Sequence, residues 1–144
     1  MRRFLGLGAV VALIAMLPAA AMAGGRPIVV DMTGAEEAPG PGDPDGSGTA
    51  WFTFNSGQGE VCFALHVEDI VLPAIGAHIH IAPAGSPGPV VVPLTPPDAT
   101  GHSSGCVSAD PALVKAIRKS PSGYYVNVHS TDFPAGAVRA QLAP

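Results

Sequence analysis

The sequence predicts an all-β fold of short strands joined by turns, with one short helix near residues 110–119. Eighteen glycines and sixteen prolines are spread along the 144 residues without a repeat, so they interrupt the chain too often for long helices. Between these interruptions, apolar and polar residues alternate over short runs, as they do in strands that place one face on a core. Only the segment that begins at Asp110-Pro111 combines a capping residue with helical spacing.

The first 23 residues have the pattern of a secretory signal peptide. Basic Met1-Arg2-Arg3 precedes an apolar stretch from Phe4 to about Leu17, and Ala21-Met22-Ala23 fits a cleavage site. The apolar stretch is too short for a stable membrane span, so we expect no membrane attachment after cleavage. We therefore expect an exported protein, periplasmic or extracellular, with a single domain over residues 24–144.

The mature chain is acidic. Loss of Arg2 and Arg3 with the leader reduces the 7 basic residues to 5, against 11 acidic residues, which gives a net charge of −6 with neutral histidines. A chain of this charge without a basic patch is not expected to bind nucleic acid or anionic lipid. The expected partner is an unidentified protein or a small ligand.

Eight segments are predicted as strands. In the clearest of them, residues 60–68, Val61, Phe63, Leu65 and Val67 alternate with other residues and form the predicted core face. Glycine, proline and other turn-forming residues separate the segments from one another. The eight are residues 26–33, 49–55, 60–68, 76–81, 89–94, 100–107, 124–129 and 136–142.

The two cysteines, Cys62 and Cys106, both lie in the mature part of the chain. An oxidising compartment would favour a disulfide between them. The alternative is a metal ligated by cysteine. Against that alternative, neither residue has a CxxC partner or a nearby ligand at the spacing of a zinc site.

Two of the predicted strands carry histidines that could meet at one point. His78 and His80 share one face of their strand, because alternate side chains of a strand leave opposite faces. In the segment 124–129, His129 shares a face with Asn127. If the two strands meet in one sheet, the three histidines would converge on a metal ion or a small anion.

Further polar side chains accompany these histidines. Arg139 and Gln141 fall on the polar face of the last strand, and they share the face of Asn127 and His129 if the last two strands pair. We expect Asn127, Arg139 and Gln141 to support the site. His66 lies on the outward face of its strand, where it is either simply solvated or a fourth member of the histidine set.

Seven segments of the chain carry a resemblance to a known family: Gly34–Pro39, Val61-Cys62, Ala77–His80, Gly88–Val92, Cys106-Val107, Tyr125–His129 and Phe133–Leu142. Through these segments the sequence resembles the CHRD domain, first described in the developmental protein chordin and widespread in bacterial exported proteins. The resemblance implies an antiparallel Greek-key β-sandwich, in agreement with the number of predicted strands. Two positions depart from the pattern: Ala137 stands where an acidic residue is common, and Ala140 where glycine is common.

A more distant similarity connects the sequence with copper-zinc superoxide dismutases. In those enzymes an H-x-H strand, a later V-H pair and an arginine on the last strand form the copper site. The similarity implies His78, His80 and His129 as copper ligands here, with Arg139 as the group that steers an anion. The long loop with zinc ligands that those enzymes need does not follow His80.

Two interpretations of function stay open. The first is an exported CHRD-domain module that binds a partner or has a structural role, with no catalytic residue and no certain cofactor. The second is a copper-binding protein that uses the three histidines, with superoxide dismutase-like chemistry as an extension. Other enzyme classes lack support, since the chain has no G-x-S-x-G elbow, no P-loop and no dinucleotide-binding glycine pattern.

Overall fold

A computed structural model describes residues 25–143 of the chain. The predicted signal peptide over residues 1–23 lies outside the described residues. The described part is built from eight strands, one α-helix and two short 3₁₀ turns, at Gly34–Glu36 and Pro121–Gly123. The elements are β1 (Ile28–Thr33), β2 (Ser47–Asn55), β3 (Glu60–Glu68), β4 (Gly76–Ile81), β5 (Val90–Leu94), β6 (His102–Ser108), α1 (Pro111–Lys119), β7 (Tyr124–His129) and β8 (Val138–Gln141).

The eight strands form one antiparallel sheet in the order β5-β4-β7-β8-β1-β2-β3-β6. Strands β4 and β5 pair at one end of this order, and β3 and β6 pair at the other. The connections from β3 to β4 and from β5 to β6 therefore run between the two ends, as in Greek-key folds. The predicted all-β antiparallel fold is confirmed, in the form of one continuous sheet that curves into a near-barrel.

One hydrophobic core lies inside the curved sheet. Phe52 from β2, Ile79 from β4 and Val126 from β7 are fully buried in the same cluster, although three strands lie between β2 and β4 in the sheet. The sheet must therefore curl around a shared interior. The predicted core face of β3, which includes Phe63 and Leu65, is buried in this cluster. Period-two alternation thus decides which face of each strand leaves water.

The predicted helix is present as α1. The Asp110 side chain accepts a hydrogen bond of 2.7 Å from the Ala112 backbone N–H, and Pro111 occupies the first helical position. Val114 and Ile117 are fully buried, and the helix packs on β2 and β3. Among residues 25–143, no helix is both long enough and apolar enough to cross a membrane.

A disulfide joins Cys62 to Cys106, which confirms the predicted bond. The two residues lie directly opposite one another on β3 and β6. Because both sulfur atoms are bonded to each other, the alternative of a cysteine-ligated metal does not hold in this structure. The bond attaches β6, an edge strand of the sheet, to its neighbour β3.

Candidate metal centre

The pairing of β4 with β7 brings the three predicted histidines together. Gly76 lies opposite His129 and His78 lies opposite Asn127, so the side chains of His78, His80 and His129 leave the same outward face of the sheet. One nitrogen from each of the three rings lies within 4.8 Å of the other two. His78 Nδ1 is 3.2 Å from His129 Nε2. The three-histidine group is therefore a cluster of possible metal ligands.

Backbone carbonyls fix the protonation pattern of two of the rings. His80 Nδ1 is 2.8 Å from the Gly88 carbonyl oxygen, and His129 Nδ1 is 3.0 Å from the Pro134 carbonyl oxygen. A carbonyl oxygen only accepts hydrogen bonds, so each Nδ1 carries the proton and each Nε2 carries a lone pair. Hydrogen bonds of this kind orient the histidine ligands of metal sites.

The lone pair of His80 has no partner. His80 Nε2 is buried, and no group within residues 25–143 forms a hydrogen bond with it. Near it, His129 Nε2 lies 3.1 Å from Asn127 Oδ1, which is also an acceptor. His78 Nδ1–H is the donor that reaches His129 Nε2. A cation that replaced the His78 Nδ1 proton, with His78 carrying its proton on Nε2 instead, would meet lone pairs from all three rings.

His78 and His129 are held in the neutral form that ligates metals. Burial lowers the pKa of His78 below its ordinary value, and the neighbouring rings of His129 and His80 lower it further. Burial likewise lowers the pKa of His129. The hydrogen bond to the Pro134 carbonyl raises the pKa of His129 again, and the electrostatic effect of His80 lowers it. These two rings therefore carry lone pairs rather than positive charge at neutral pH.

Gly76 leaves space beside two of the rings. A methyl group at this position would lie 3.1 Å from His78 Cε1 and 3.4 Å from His129 Cδ2. Glycine therefore allows the two imidazoles to approach β4 closely.

The sequence comparisons identify the family. A family model of the CHRD domain matches residues 28–142. The chain belongs to the CHRD-domain family. Searches of the curated proteins and of the solved structures found no match to the chain. The predicted family is thus confirmed, while the similarity to copper-zinc superoxide dismutase stays a prediction.

Arg139 of this CHRD domain is buried rather than exposed, with 1 % of its surface accessible. Its guanidinium lies 3.5 Å from the centre of the Tyr125 ring, and that ring stacks on His80 with 4.7 Å between the centres. The guanidinium also donates hydrogen bonds to the carbonyl oxygens of Ser86, at 3.0 Å, and Pro83, at 3.1 Å. These contacts make Arg139 an anchor for a loop, whereas the similarity implied a group that steers anions.

The loop of residues 82–89 covers this part of the CHRD domain. Gln141 donates from Nε2 to the Ala82 carbonyl oxygen at 2.7 Å, and the Tyr125 hydroxyl accepts from the Gly88 backbone N–H at 3.2 Å. His80 and Arg139 also hold the loop, through the carbonyl oxygens of Gly88, Ser86 and Pro83. The alternating pattern placed these side chains on a polar face, but it did not show that a loop would bury that face.

Glu37 is a site residue that the strand pattern missed. The residue is half-buried, and its Oε1 atom has no hydrogen-bond partner within the described residues. The backbone of Gly136 lies against its carboxylate, so closely that a Cβ atom at position 136 would collide with the carboxylate. Burial raises the pKa of Glu37 to about 7, against the lowering effects of Arg139, of a hydrogen bond from Asn127 and of the Ala38 backbone. Asn127 thus lies between Glu37 and His129. The feature of the sequence that could have pointed to Glu37 is the Gly34–Pro39 segment, which is part of the resemblance to the CHRD domain.

Proposed function

We propose that this CHRD domain is a binding module for one transition-metal ion, copper in the first place, with His78, His80 and His129 as ligands. The observation that carries the proposal is the buried Nε2 atom of His80, which has no partner within residues 25–143 and belongs to a ring that has one nitrogen within 4.8 Å of nitrogens of the other two rings. A buried polar atom without a partner costs about 1–3 kcal/mol. A bond to a metal ion would remove this cost.

The chemistry of the cluster favours a cation over an anion. His80 and His129 give their Nδ1–H to carbonyl groups and direct the Nε2 atom toward other partners, whereas an anion would need N–H donors from these rings. Arg139, the nearest guanidinium, is occupied by the carbonyl groups of the 82–89 loop. Among divalent ions, imidazole ligands bind copper more tightly than zinc or nickel.

A purely structural role is the second candidate. His80 and His129 hold the backbone at Gly88 and Pro134, and they would do so without any ion. The two roles use different ring nitrogens, however: Nδ1 anchors the backbone, whereas Nε2 would bind the metal. A variant that keeps the first contact and removes the second can therefore separate the two candidates.

We propose binding rather than catalysis for this module. Superoxide dismutase-like chemistry would gain from an accessible cation near the metal, and Arg139 is 1 % exposed beneath its loop. No catalytic residue is assigned. A superoxide-consumption assay on the copper-loaded protein should give a rate no higher than that of the metal-free protein.

We further propose that the domain is exported, to the periplasm or beyond the cell. Family membership and the Cys62–Cys106 bond support this, since disulfides persist in oxidising compartments. The mature protein should begin at Gly24, which N-terminal sequencing of the exported product would test. The acidic charge supports a protein or small-ligand partner in place of nucleic acid.

Copper titration with matched variants tests the metal proposal. A chelator should hold free Cu(II) low enough that only a tight site fills, and the unaltered protein should then bind about one equivalent. His80→Asn and His129→Asn should each lower the affinity at least about tenfold. The asparagine Nδ2–H can take over the hydrogen bond of Nδ1 to Gly88 or Pro134, but it offers no lone pair at the position of Nε2.

The control is His102→Ala, which alters an exposed histidine on another strand and should leave this tight binding unchanged. Circular dichroism of each variant checks that the fold is retained. Tight binding that survives both asparagine substitutions, or its absence in the unaltered protein, would refute the metal proposal and favour the structural role.

A further inference from the structure

His66 and His102 form a histidine pair on another part of the sheet. They lie directly opposite one another on β3 and β6, and four strands separate β3 from β4 in the sheet order. His66 is not a member of the three-histidine cluster. The centres of its ring and the His102 ring are 4.2 Å apart, and the ring planes are almost parallel at 8°. The sequence left open whether His66 is simply solvated or a fourth member of the histidine set, and the structure places it against His102.

The backbone register brings the two side chains close together. Val67 donates its backbone N–H to the Gly101 carbonyl oxygen at 2.9 Å, so residues 67 and 101 are a hydrogen-bonded pair. Such pairs alternate with non-hydrogen-bonded pairs along an antiparallel ladder, which makes His66 and His102 a non-hydrogen-bonded pair. Side chains approach each other most closely at pairs of this kind, with Cβ atoms about 4.5–5.5 Å apart. Two imidazoles at this separation can reach one ion.

Two acidic residues lie close to the pair. His66 Nε2 is 3.5 Å from Glu68 Oε1. Asp98 donates its backbone N–H to the His102 carbonyl oxygen at 3.0 Å. The pair therefore lies in a negatively charged environment that attracts cations.

Both rings are accessible to solvent. The side chain of His66 is 42 % exposed, and His102 is exposed. In the stacked arrangement the lone pairs lie in parallel planes, so binding requires each ring to rotate about its side-chain bonds until the lone pairs converge. This rearrangement lowers the affinity relative to a preformed site.

We propose that His66 and His102 form a second, solvent-exposed site for a divalent transition-metal ion, with Glu68 as a third ligand and water in the remaining positions. Imidazole and carboxylate ligands suit ions of the zinc, copper and nickel class. An ion bound here would join the edge strand β6 to β3, four residues along the ladder from the disulfide that joins the same two strands. The site is independent of the three-histidine cluster.

Zinc titration in a chain without the first site tests this proposal. The His80→Asn/His129→Asn double variant should bind about one Zn²⁺ by calorimetry. Adding His66→Ala or His102→Ala should lower this affinity at least about tenfold. Nuclear magnetic resonance should show that Zn²⁺ shifts the ring C–H signals of His66 and His102. Glu68→Gln should weaken binding by a smaller factor, whereas Glu36→Gln, which alters an exposed carboxylate elsewhere, should have no effect.

The same test works in the unaltered protein if the double variant does not fold. His102→Ala alone should then lower the number of bound Zn²⁺ ions by one and leave any tighter site filled. The proposal is overturned if the background chain binds no Zn²⁺, or if the affinity is the same with and without the two alanine substitutions. Neither result bears on the three-histidine site, because that site is tested by His80→Asn and His129→Asn in the chain that retains His66 and His102.

Discussion

The outward side of the sheet has two regions that differ in what lies over them. The covered face, the outward side of β4, β7 and β8, carries His80, Asn127 and Arg139, all of them buried. The open face, the outward side of β1, β2, β3 and β6, carries a row formed by Asp31, Thr49, His66 and His102, which are exposed or half-buried. Both faces show the same alternation in the sequence, so the strands alone do not account for the difference.

The difference comes from the connections. The 82–89 loop folds over the covered face, where four side chains bind its backbone, and the segment that carries Glu37 packs at the neighbouring edge. Within the described residues, no comparable set of side-chain bonds to a loop crosses the row on the open face. Burial on this face raises the cost of unpaired polar atoms and lowers the pKa values of His78 and His129. Polar residues on the covered face should therefore matter more for stability and binding than their counterparts elsewhere.

Removal of a buried guanidinium should give the largest effect. Arg139→Ala deletes three hydrogen bonds from a charged donor and the contact with Tyr125, so we expect a loss of about 3 kcal/mol or more in the free energy of unfolding. Arg118→Ala is the matched control, because Arg118 is exposed on α1 and donates one long bond of 3.4 Å to Ser56. The control should change the free energy of unfolding by less than about 0.5 kcal/mol.

Urea denaturation of Arg139→Ala and Arg118→Ala, with the disulfide intact, measures the change in the free energy of unfolding for each variant. Similar losses for Arg139→Ala and Arg118→Ala would mean that the 82–89 loop does not depend on the guanidinium, and the distinction between covered and exposed arginines would fail.

The sequence predicted which side chains share a face of the sheet, but it did not predict which face a loop would cover. Alternation placed His78 and His80 on one face of β4 and His129 beside Asn127 on one face of β7. The sequence left open whether these strands meet, and the pairing of β4 with β7 brings the three rings together. The stacking of Arg139, Tyr125 and His80 could not be predicted in this way, because it depends on a loop whose path no periodic pattern encodes. The predicted Cys62–Cys106 disulfide does bring β3 and β6 together. The alternation did not show, however, that their register would place His66 opposite His102.

A small substitution in the covered face should weaken metal binding without removing a ligand. Gly76→Ala places a methyl group 3.1 Å from His78 Cε1 and 3.4 Å from His129 Cδ2, so at least one ring must shift. We expect the Cu(II) affinity to fall about tenfold, as it does when the support of a ligand is disturbed. Gly123→Ala is the control, since an added Cβ there meets nothing within 4 Å and should leave the affinity unchanged.

Competition with a chelator of known affinity measures both variants. Equal affinities for Gly76→Ala and the unaltered protein would show that the His78 and His129 rings do not need their observed positions. That result would count against a shared ion at this cluster.

The pH dependence of stability should show the smallest effect, because Glu37 is only half-buried and water screens part of its interactions. The pKa of Glu37 is raised from 4.5 to about 7 in the folded protein, so between these values the folded state binds more protons than the unfolded chain. Glu37 therefore makes the protein less stable as pH rises from about 4.5 through about 7. The lowered pKa values of His78 and His129 act in the opposite direction, since they remove stability as pH falls below 6.5.

Glu37→Gln separates these opposing contributions. Glutamine mimics the protonated carboxyl group, so the metal-free variant should match the unaltered protein near pH 4.5 and exceed its stability at pH 8. Glu36→Gln, at the exposed neighbouring carboxylate, should leave the pH profile unchanged. Urea denaturation across this range gives both profiles. If Glu37→Gln and the unaltered protein differ by a constant amount at every pH, the Glu37 carboxyl does not titrate in a buried environment, and the covered face would not extend to this edge of the site.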